Sequence, residues 1–234
     1  INMPLTEQAR DYLIREGVKP ETIIKTGSCM KEILSFYKNK IDNCDVLGRI
    51  KVEARKYFIV SIHREENVDY PENLKKLVDS LNALAEKYNY PVIVSTHPRT
   101  QKKINETRAK LNPMIRLMKP LGFYDYVRLQ ISAIAVLSDS GTINEESSIL
   151  NFPALNIRET HERPEAMEEG SVMMVGMSPD RVEQGLEQLE NQAIGTDRNF
   201  RTVRDYSISN VSDKVVRIIL SYTDFINRRV WGKM

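Results

Sequence analysis

The chain has 234 residues, 41% of them apolar, 28% charged and 7% aromatic, with 10 Gly and 10 Pro. This is ordinary globular usage and excludes a disordered, collagen-like or disulfide-framework chain. Lys plus Arg number 34 against 32 for Asp plus Glu, so a net charge of +2 gives no general field for nucleic acid or an anionic membrane, and any anion binding must be local.

In chain order, the first 45 residues predict a helix from Leu5 to Glu16 ended by Gly17, a short strand Thr22–Thr26 and a helix from Ser28 to Asn39. They are expected to form a hinge or the end of a preceding domain. The chain begins with Ile1 and no signal-like segment, which suggests that something upstream has been removed. Cys29 and Cys44 have neither CxxC spacing nor a nearby His pair, which favours a reducing compartment over zinc or redox chemistry. The longest central apolar run, Ala133 to Leu137, is far short of the ~20 residues that cross a bilayer.

From residue 57, apolar β-rich runs alternate with helical periods. Strands are predicted at Tyr57–Ile62, Pro91–Ser95, Met114–Met118, Ala133–Leu137, Pro153–Ile157 and Ser171–Val175. Near-continuous apolar runs of this kind suit a parallel sheet covered on both faces. Between the first two, Leu74, Leu77, Val78, Leu81 and Leu84 recur along one helix face behind Pro71. The rhythm predicts an α/β domain with a Rossmann-like, doubly wound parallel sheet over residues 46–205. Residues 206–234 predict an amphipathic terminal helix, with Val215, Ile218, Ile219 and Tyr222 on a face that needs a partner. Left open, such a patch invites self-association, so a homodimer is expected. The Lys38–Lys40 and Arg228–Arg229 charges read as solvated faces.

In a doubly wound sheet, ligands bind at the carboxyl ends of the strands. Polar clusters follow four of the predicted strands: His63-Arg64-Glu65-Glu66-Asn67, Thr96-His97-Pro98-Arg99, Ser138 to Glu146, and Arg158 to Glu165. All three histidines, His63, His97 and His161, fall in these loops. The turn Asp139-Ser140-Gly141-Thr142 leaves backbone N–H groups free at a helix N-terminus, which suits a diphosphate. Glu146, one turn further on, either accepts from ribose hydroxyls or simply faces water. His63 either donates to phosphate and shuttles a proton or satisfies a backbone carbonyl. Arg64 and Arg163 offer fork-like anion contacts, or surface pairs with neighbours such as Glu66 or Glu162. His97, fixed before Pro98, and His161 are weaker candidates. Neither GxSxG nor GxGxxG is present, which counts against a serine hydrolase and a nicotinamide enzyme.

Taken together, His63-Arg64-Glu65-Glu66-Asn67, Ser138-Asp139-Ser140-Gly141 with Glu145-Glu146, and Glu162-Arg163-Pro164-Glu165-Ala166 with Gly170-Ser171-Val172 resemble the non-hydrolysing UDP-N-acetylglucosamine 2-epimerase family. The resemblance runs from Ile1 to Val216 and implies the C-terminal half of a two-domain glycosyltransferase-B-type architecture, with UDP in its loops and an N-terminal domain, absent from this chain, on which the terminal helix of residues 206–234 would pack back. It implies diphosphate contacts from His63 and Ser140, amides from Gly141 and Thr142, ribose at Glu146, uracil at Tyr126, and Arg163 lining the cleft. A second, activating nucleotide sugar is implied beside Arg64 and His97. The implied reaction removes the C2 proton, eliminates UDP in an anti sense to a 2-acetamidoglycal, and re-adds UDP with protonation on the other face.

No metal or cofactor is implied, and a cytoplasmic setting is expected. Most acid and base groups belong to the absent domain, so of the catalytic set only His63 is expected here and the chain alone is expected to bind nucleotide without turnover. Glu65 in place of the commoner Arg, with Thr26-Gly27-Ser28 and the ending Asp205 to Arg228, is most similar to the capsule and O-antigen branch that forms UDP-N-acetyl-L-fucosamine from UDP-2-acetamido-2,6-dideoxy-L-talose. Two other readings are kept: a retaining glycosyltransferase of the same architecture, and a nucleotide-sugar-binding module without chemistry.

Overall fold

The computed structural model describes residues 1–96, 98–106, 110–160 and 162–233, with the backbone only for Glu65, Glu66 and Arg99. The chain divides into two compact units, residues 37–201 and a second unit made of residues 1–36 with residues 202–234.

The larger unit is built on six parallel strands: β1 Phe58–Ile62, β2 Val92–Thr96, β3 Ile115–Met118, β4 Val136–Ser138, β5 Ala154–Asn156 and β6 Met173–Met174. Their spatial order is β3-β2-β1-β4-β5-β6, so the order reverses between β1 and β4. These two pair in parallel, with Ile59 opposite Val136 and Ser61 opposite Ser138. Alternate side chains of β1 go to opposite faces. Phe58, Val60 and Ile62 pack with the Pro71–Tyr88 and Pro179–Leu189 helices, and Ile59 with Leu129 and Ile143 of the Phe123–Ser132 and Thr142–Leu150 helices. Each core strand is therefore apolar on both faces, as a covered parallel sheet requires. Two of the crossover helices, Pro71–Tyr88 and Thr142–Leu150, end in left-handed asparagines, Asn89 (φ 51°) and Asn151 (φ 55°), a residue that tolerates this conformation.

In the second unit, the Glu7–Arg15 helix is capped by Thr6, whose Oγ1 accepts from the Ala9 N–H at 3.3 Å. Asp205 gathers distant segments: it accepts from the Glu7 N–H at 2.9 Å and the Lys25 ammonium at 2.8 Å. The Val211–Arg229 helix is tied by Lys214 Nζ to the Thr26 carbonyl at 2.9 Å and by Ser212 to Glu32. Its most open apolar side chains are Val216, Ile219 and Leu220; of the face expected to lie open only Ile219 does, because Val215, Ile218 and Tyr222 are half-buried on the other side of the helix.

The predicted strand at Thr22–Thr26 is not formed. A 3-10 turn, Pro20–Thr22, precedes a single bridge between Ile23 and Asn2; the Ile24 and Thr26 N–H groups donate to the Asn2 and Pro4 carbonyls, but Pro4 has no N–H to return and the ladder goes no further. The predicted Ser28–Asn39 helix is two helices, Met30–Phe36 and Lys38–Asp42, separated at Tyr37, whose ψ of 5° leaves the α region.

Among the described residues, no helix is long and apolar enough to cross a membrane. Cys29 and Cys44 are both free thiols.

Candidate functional site

The strand reversal sets the loop after β1 beside the loop after β4, and one buried carboxylate joins them. Asp139, with no exposed surface, accepts from the backbone N–H of His63 at 3.0 Å and of Arg64 at 2.9 Å, and from Asn67 Nδ2 at 3.1 Å. His63 Nδ1 lies 2.9 Å from the same carboxylate. A buried acid that collects donors in this way fixes the loop that supplies them, since each donor left unmet would be costly. The bond also makes Nδ1 the inward donor and leaves Nε2 as the outward nitrogen of a half-exposed ring. Asp139 raises the His63 pKa through this hydrogen bond, against burial and the cations Arg64 and Arg158.

The second component is the head of the Thr142–Leu150 helix. Ser140 Oγ accepts from the Thr142 N–H at 3.3 Å and lies 3.0 Å from Thr142 Oγ1. Gly141 is the N-cap, and a Cβ there would sit 2.7 Å from Glu162 Oε2, so a larger residue would push that carboxylate aside. This helix is buried along its polar face: Asn144, Glu145, Glu146, Ser147 and Ser148 are all within the protein. Glu146 therefore does not face water. Its carboxyl accepts from Gln130 Nε2 at 2.6 Å and is pushed up to about 7, chiefly by burial and further by Glu145, against the hydrogen bonds from Gln130 and Thr142.

Tyr126, half-buried on the Phe123–Ser132 helix, has a phenol raised above its ordinary range by burial and by Glu146, while hydrogen bonds with Ser61 and Ser138 oppose the shift. Its hydroxyl thus meets the ends of β1 and β4.

The third component is the loop after β5. Glu162 receives both its carboxylate oxygens' hydrogen bonds from Arg64 Nη2 and is bridged by Arg158 Nη1 at 2.9 Å. Burial raises its pKa, but the two guanidiniums outweigh this and hold it below the usual carboxylate range. Arg163 reaches Glu145 at 3.5 Å. Its Nε is buried without a hydrogen-bond partner among the described residues.

The structure thus brings together His63, Arg64, Ser140, Gly141, Thr142, Glu146 and Arg163 around the reversal, with Tyr126 at the ends of its two strands. Arg64 is engaged by Glu162, as the surface-pair alternative has it, whereas Arg163 pairs with Glu145. His97 and His161 lie outside the described residues. Sequence reasoning named Asp139, Asn67 and Arg158 only as members of the loop clusters and Glu162 as a pairing neighbour of an arginine, gave none of them a place in the site, and did not name Gln130. Asp139 carried a signal, an acid directly after an apolar strand with no cation beside it in sequence. The 4% exposure of the Arg158 side chain had none. No group of three or more His, Cys, Asp or Glu side chains among the described residues is placed to hold a metal ion.

Fold and site define a Rossmann-like α/β protein that presents a helix N-terminus, a histidine and several guanidiniums at its sheet reversal, and its structural neighbours are epimerases of the glycosyltransferase-B type. The chain belongs to the UDP-N-acetylglucosamine 2-epimerase family, whose model matches residues 1–220. It is 44% identical to a UDP-N-acetylglucosamine 2-epimerase from Rickettsia bellii, with a TM-score of 0.90 over 100% of this chain and 62% of that one. A structure of the Methanocaldococcus jannaschii UDP-GlcNAc 2-epimerase in complex with UDP-GlcNAc and UDP is 28% identical, with a TM-score of 0.83 over 94% of this chain and 60% of that one. A UDP-N-acetylglucosamine 2-epimerase of Methanococcus maripaludis is 32% identical over 76% of this chain and 50% of its own length. The chain therefore spans half to about three fifths of the length of these relatives.

Proposed function

We propose that this chain supplies the UDP-holding part of an enzyme that inverts C2 of a UDP-N-acetylhexosamine. The observation that carries the reading is the Asp139 knot, which holds His63 by its inner nitrogen and fixes its loop at the same sheet reversal that carries Ser140, Gly141 and Thr142. In an anti elimination the C2 proton leaves, the C1–O bond to UDP breaks, and the departing β-phosphate oxygen gains negative charge. Backbone N–H groups at a helix head and an imidazolium stabilise charge developing there, and they do so again in reverse when UDP re-adds to the glycal. In this reading Ser140 and Thr142 orient the diphosphate, Arg163 flanks it, Glu146 takes the ribose diol and Tyr126 borders the uracil.

The groups that move the C2 proton belong, in this proposal, mainly to the length of the relatives that this chain does not span, so the chain alone binds UDP without epimerising. UDP-GlcNAc is the substrate class that the relatives' names support. The branch forming UDP-N-acetyl-L-fucosamine for surface polysaccharide rests on the motif variant at Glu65, a second nucleotide sugar at Arg64 and His97 rests on the resemblance alone, and both belong to the same proposal. So do a cytoplasmic setting and self-association through Val216, Ile219 and Leu220.

Calorimetric titration with UDP, UDP-GlcNAc and uridine tests the reading. Saturable UDP binding that Ser140→Ala and Glu146→Ala each weaken about tenfold or more is the expected result. UDP binding that neither change affects would refute it.

A further inference from the structure

Within the larger unit, the loop after β5 lays an acid over the helix head where the proposed diphosphate belongs. Glu162 Oε2 stands 2.7 Å from the position of a Cβ on Gly141, the N-cap of a nine-residue helix. Both of its oxygens accept from Arg64 Nη2, and Oε2 is 2.9 Å from Arg158 Nη1. Arg158 is almost wholly buried, while Glu162 itself is 38% exposed. An exposed acid would ordinarily gain little from leaving water. Here it meets two guanidiniums and a helix N-terminus, and these are the contacts that a phosphate takes in such a place. A carboxylate and a phosphate offer the same chemistry to these donors: two oxygens, in plane, with negative charge.

We infer that Glu162 is the resident anion of the diphosphate seat, and that a nucleoside diphosphate binds by displacing it and taking over its guanidinium partners. The inference rests on the proposed UDP reading of the same loops. Arg158, held from behind with little surface, is then a positioning residue whose charge keeps the seat attractive to one anion or the other. Arg64, at the rim, changes partner from carboxylate to phosphate, and this places it between the diphosphate and the second nucleotide sugar of the proposed function. The displaced acid becomes a nearby negative charge, so the affinity measured for UDP is the difference between two anions competing for one set of donors. Its removal must strengthen binding, although removing an ion-pair partner from a site usually weakens it.

The test compares wild type, Glu162→Gln and Glu162→Asp by calorimetry with UDP, inorganic pyrophosphate and uridine. Glu162→Gln keeps the shape and removes the competing charge, so UDP and pyrophosphate should bind about threefold to tenfold more tightly, the scale of one charge at a helix terminus with its hydrogen bonds. Uridine, which has no diphosphate, should be unaffected, and Glu162→Asp should stay nearer wild type than Glu162→Gln. Weaker or unchanged UDP binding in Glu162→Gln, with wild type still binding UDP in a manner sensitive to Ser140→Ala, overturns the displacement and leaves the UDP reading standing. Equal tightening in Glu162→Asp also overturns it, since the charge would not be the cause. Absence of UDP and pyrophosphate binding in every protein overturns both.

Discussion

Two aspartates, one in each compact unit, gather segments that are far apart in sequence, and they do so to different ends. Asp205 takes the Glu7 N–H and the Lys25 ammonium, and its carbonyl accepts from the Ser28 N–H at 2.9 Å. Its partner is a lysine whose pKa is raised: burial opposes the shift, and the hydrogen bonds to Asp205 and Glu7 prevail. That lysine keeps its charge at any ordinary pH. Asp139 takes two backbone donors, an asparagine and a histidine. Its partner is a histidine whose pKa is raised, chiefly by that hydrogen bond, and whose other nitrogen is left outward. The same device, a buried acid closing loops, is scaffolding in one unit and, in the proposed reading, a pH-sensitive anion site in the other.

Removing each acid should separate the two uses. Asp139→Ala leaves the His63 and Arg64 amides and Asn67 without their acceptor, so it should cost about 3–5 kcal/mol of stability and abolish detectable UDP binding. Asp205→Asn, at a partly solvated knot, should cost about 1–2 kcal/mol and leave the UDP dissociation constant within twofold. Urea unfolding and calorimetry on the two variants check this. A large loss of UDP affinity in Asp205→Asn would break the contrast.

Next in size is the buried acid at Glu146. Its folded pKa of about 7 lies above its unfolded value, so the protonated form is favoured in the folded chain. Its contribution to stability is complete below about pH 4.5 and is lost as pH rises through 7. Glu146→Gln should therefore be more stable than wild type at pH 8, by up to about 3 kcal/mol, and equal to it near pH 4.5, while binding UDP more weakly. Thermal melts across that range would contradict the account if the two proteins kept a constant difference.

The smallest effect is at His63. Its raised pKa makes the imidazolium persist above the unfolded value near 6.5. The stabilisation is complete below pH 6.5 and fades as pH climbs through the raised value. UDP affinity should fall in the same window, by about threefold to thirtyfold between pH 6 and 9. His63→Gln should flatten this part of the profile.

The sheet was legible because a parallel strand covered on both faces must be apolar throughout, as Phe58-Ile59-Val60 and Val92-Ile93-Val94 are. Its edges were less so. The predicted Ser171–Val175 strand reduces to Met173–Met174, since an edge strand has one neighbour to hold it. The fourth predicted strand, Ala133–Leu137, is regular only over Val136–Ser138, although backbone bonds from Ile134 to Tyr57 and from Ile59 to Ala135 flank β1 earlier. At the site, the loops and their acids and bases were legible from their position after strands. Which acid met which base was not. Glu145, Glu146 and Glu162 lie within eighteen residues of one another on the sequence, yet one pairs with Arg163, one with Gln130 and one with Arg64 and Arg158. Only the packing of the β5 loop over the helix head decides that division.

The most direct measurement of the central claim is the imidazole titration of His63, followed by NMR with and without saturating UDP and assigned against His63→Gln. A pKa above the ordinary 6.5 in the free chain, rising further when UDP is bound, is what an Asp139-keyed diphosphate seat predicts. A His63 resonance that titrates at its ordinary value and ignores UDP would contradict it.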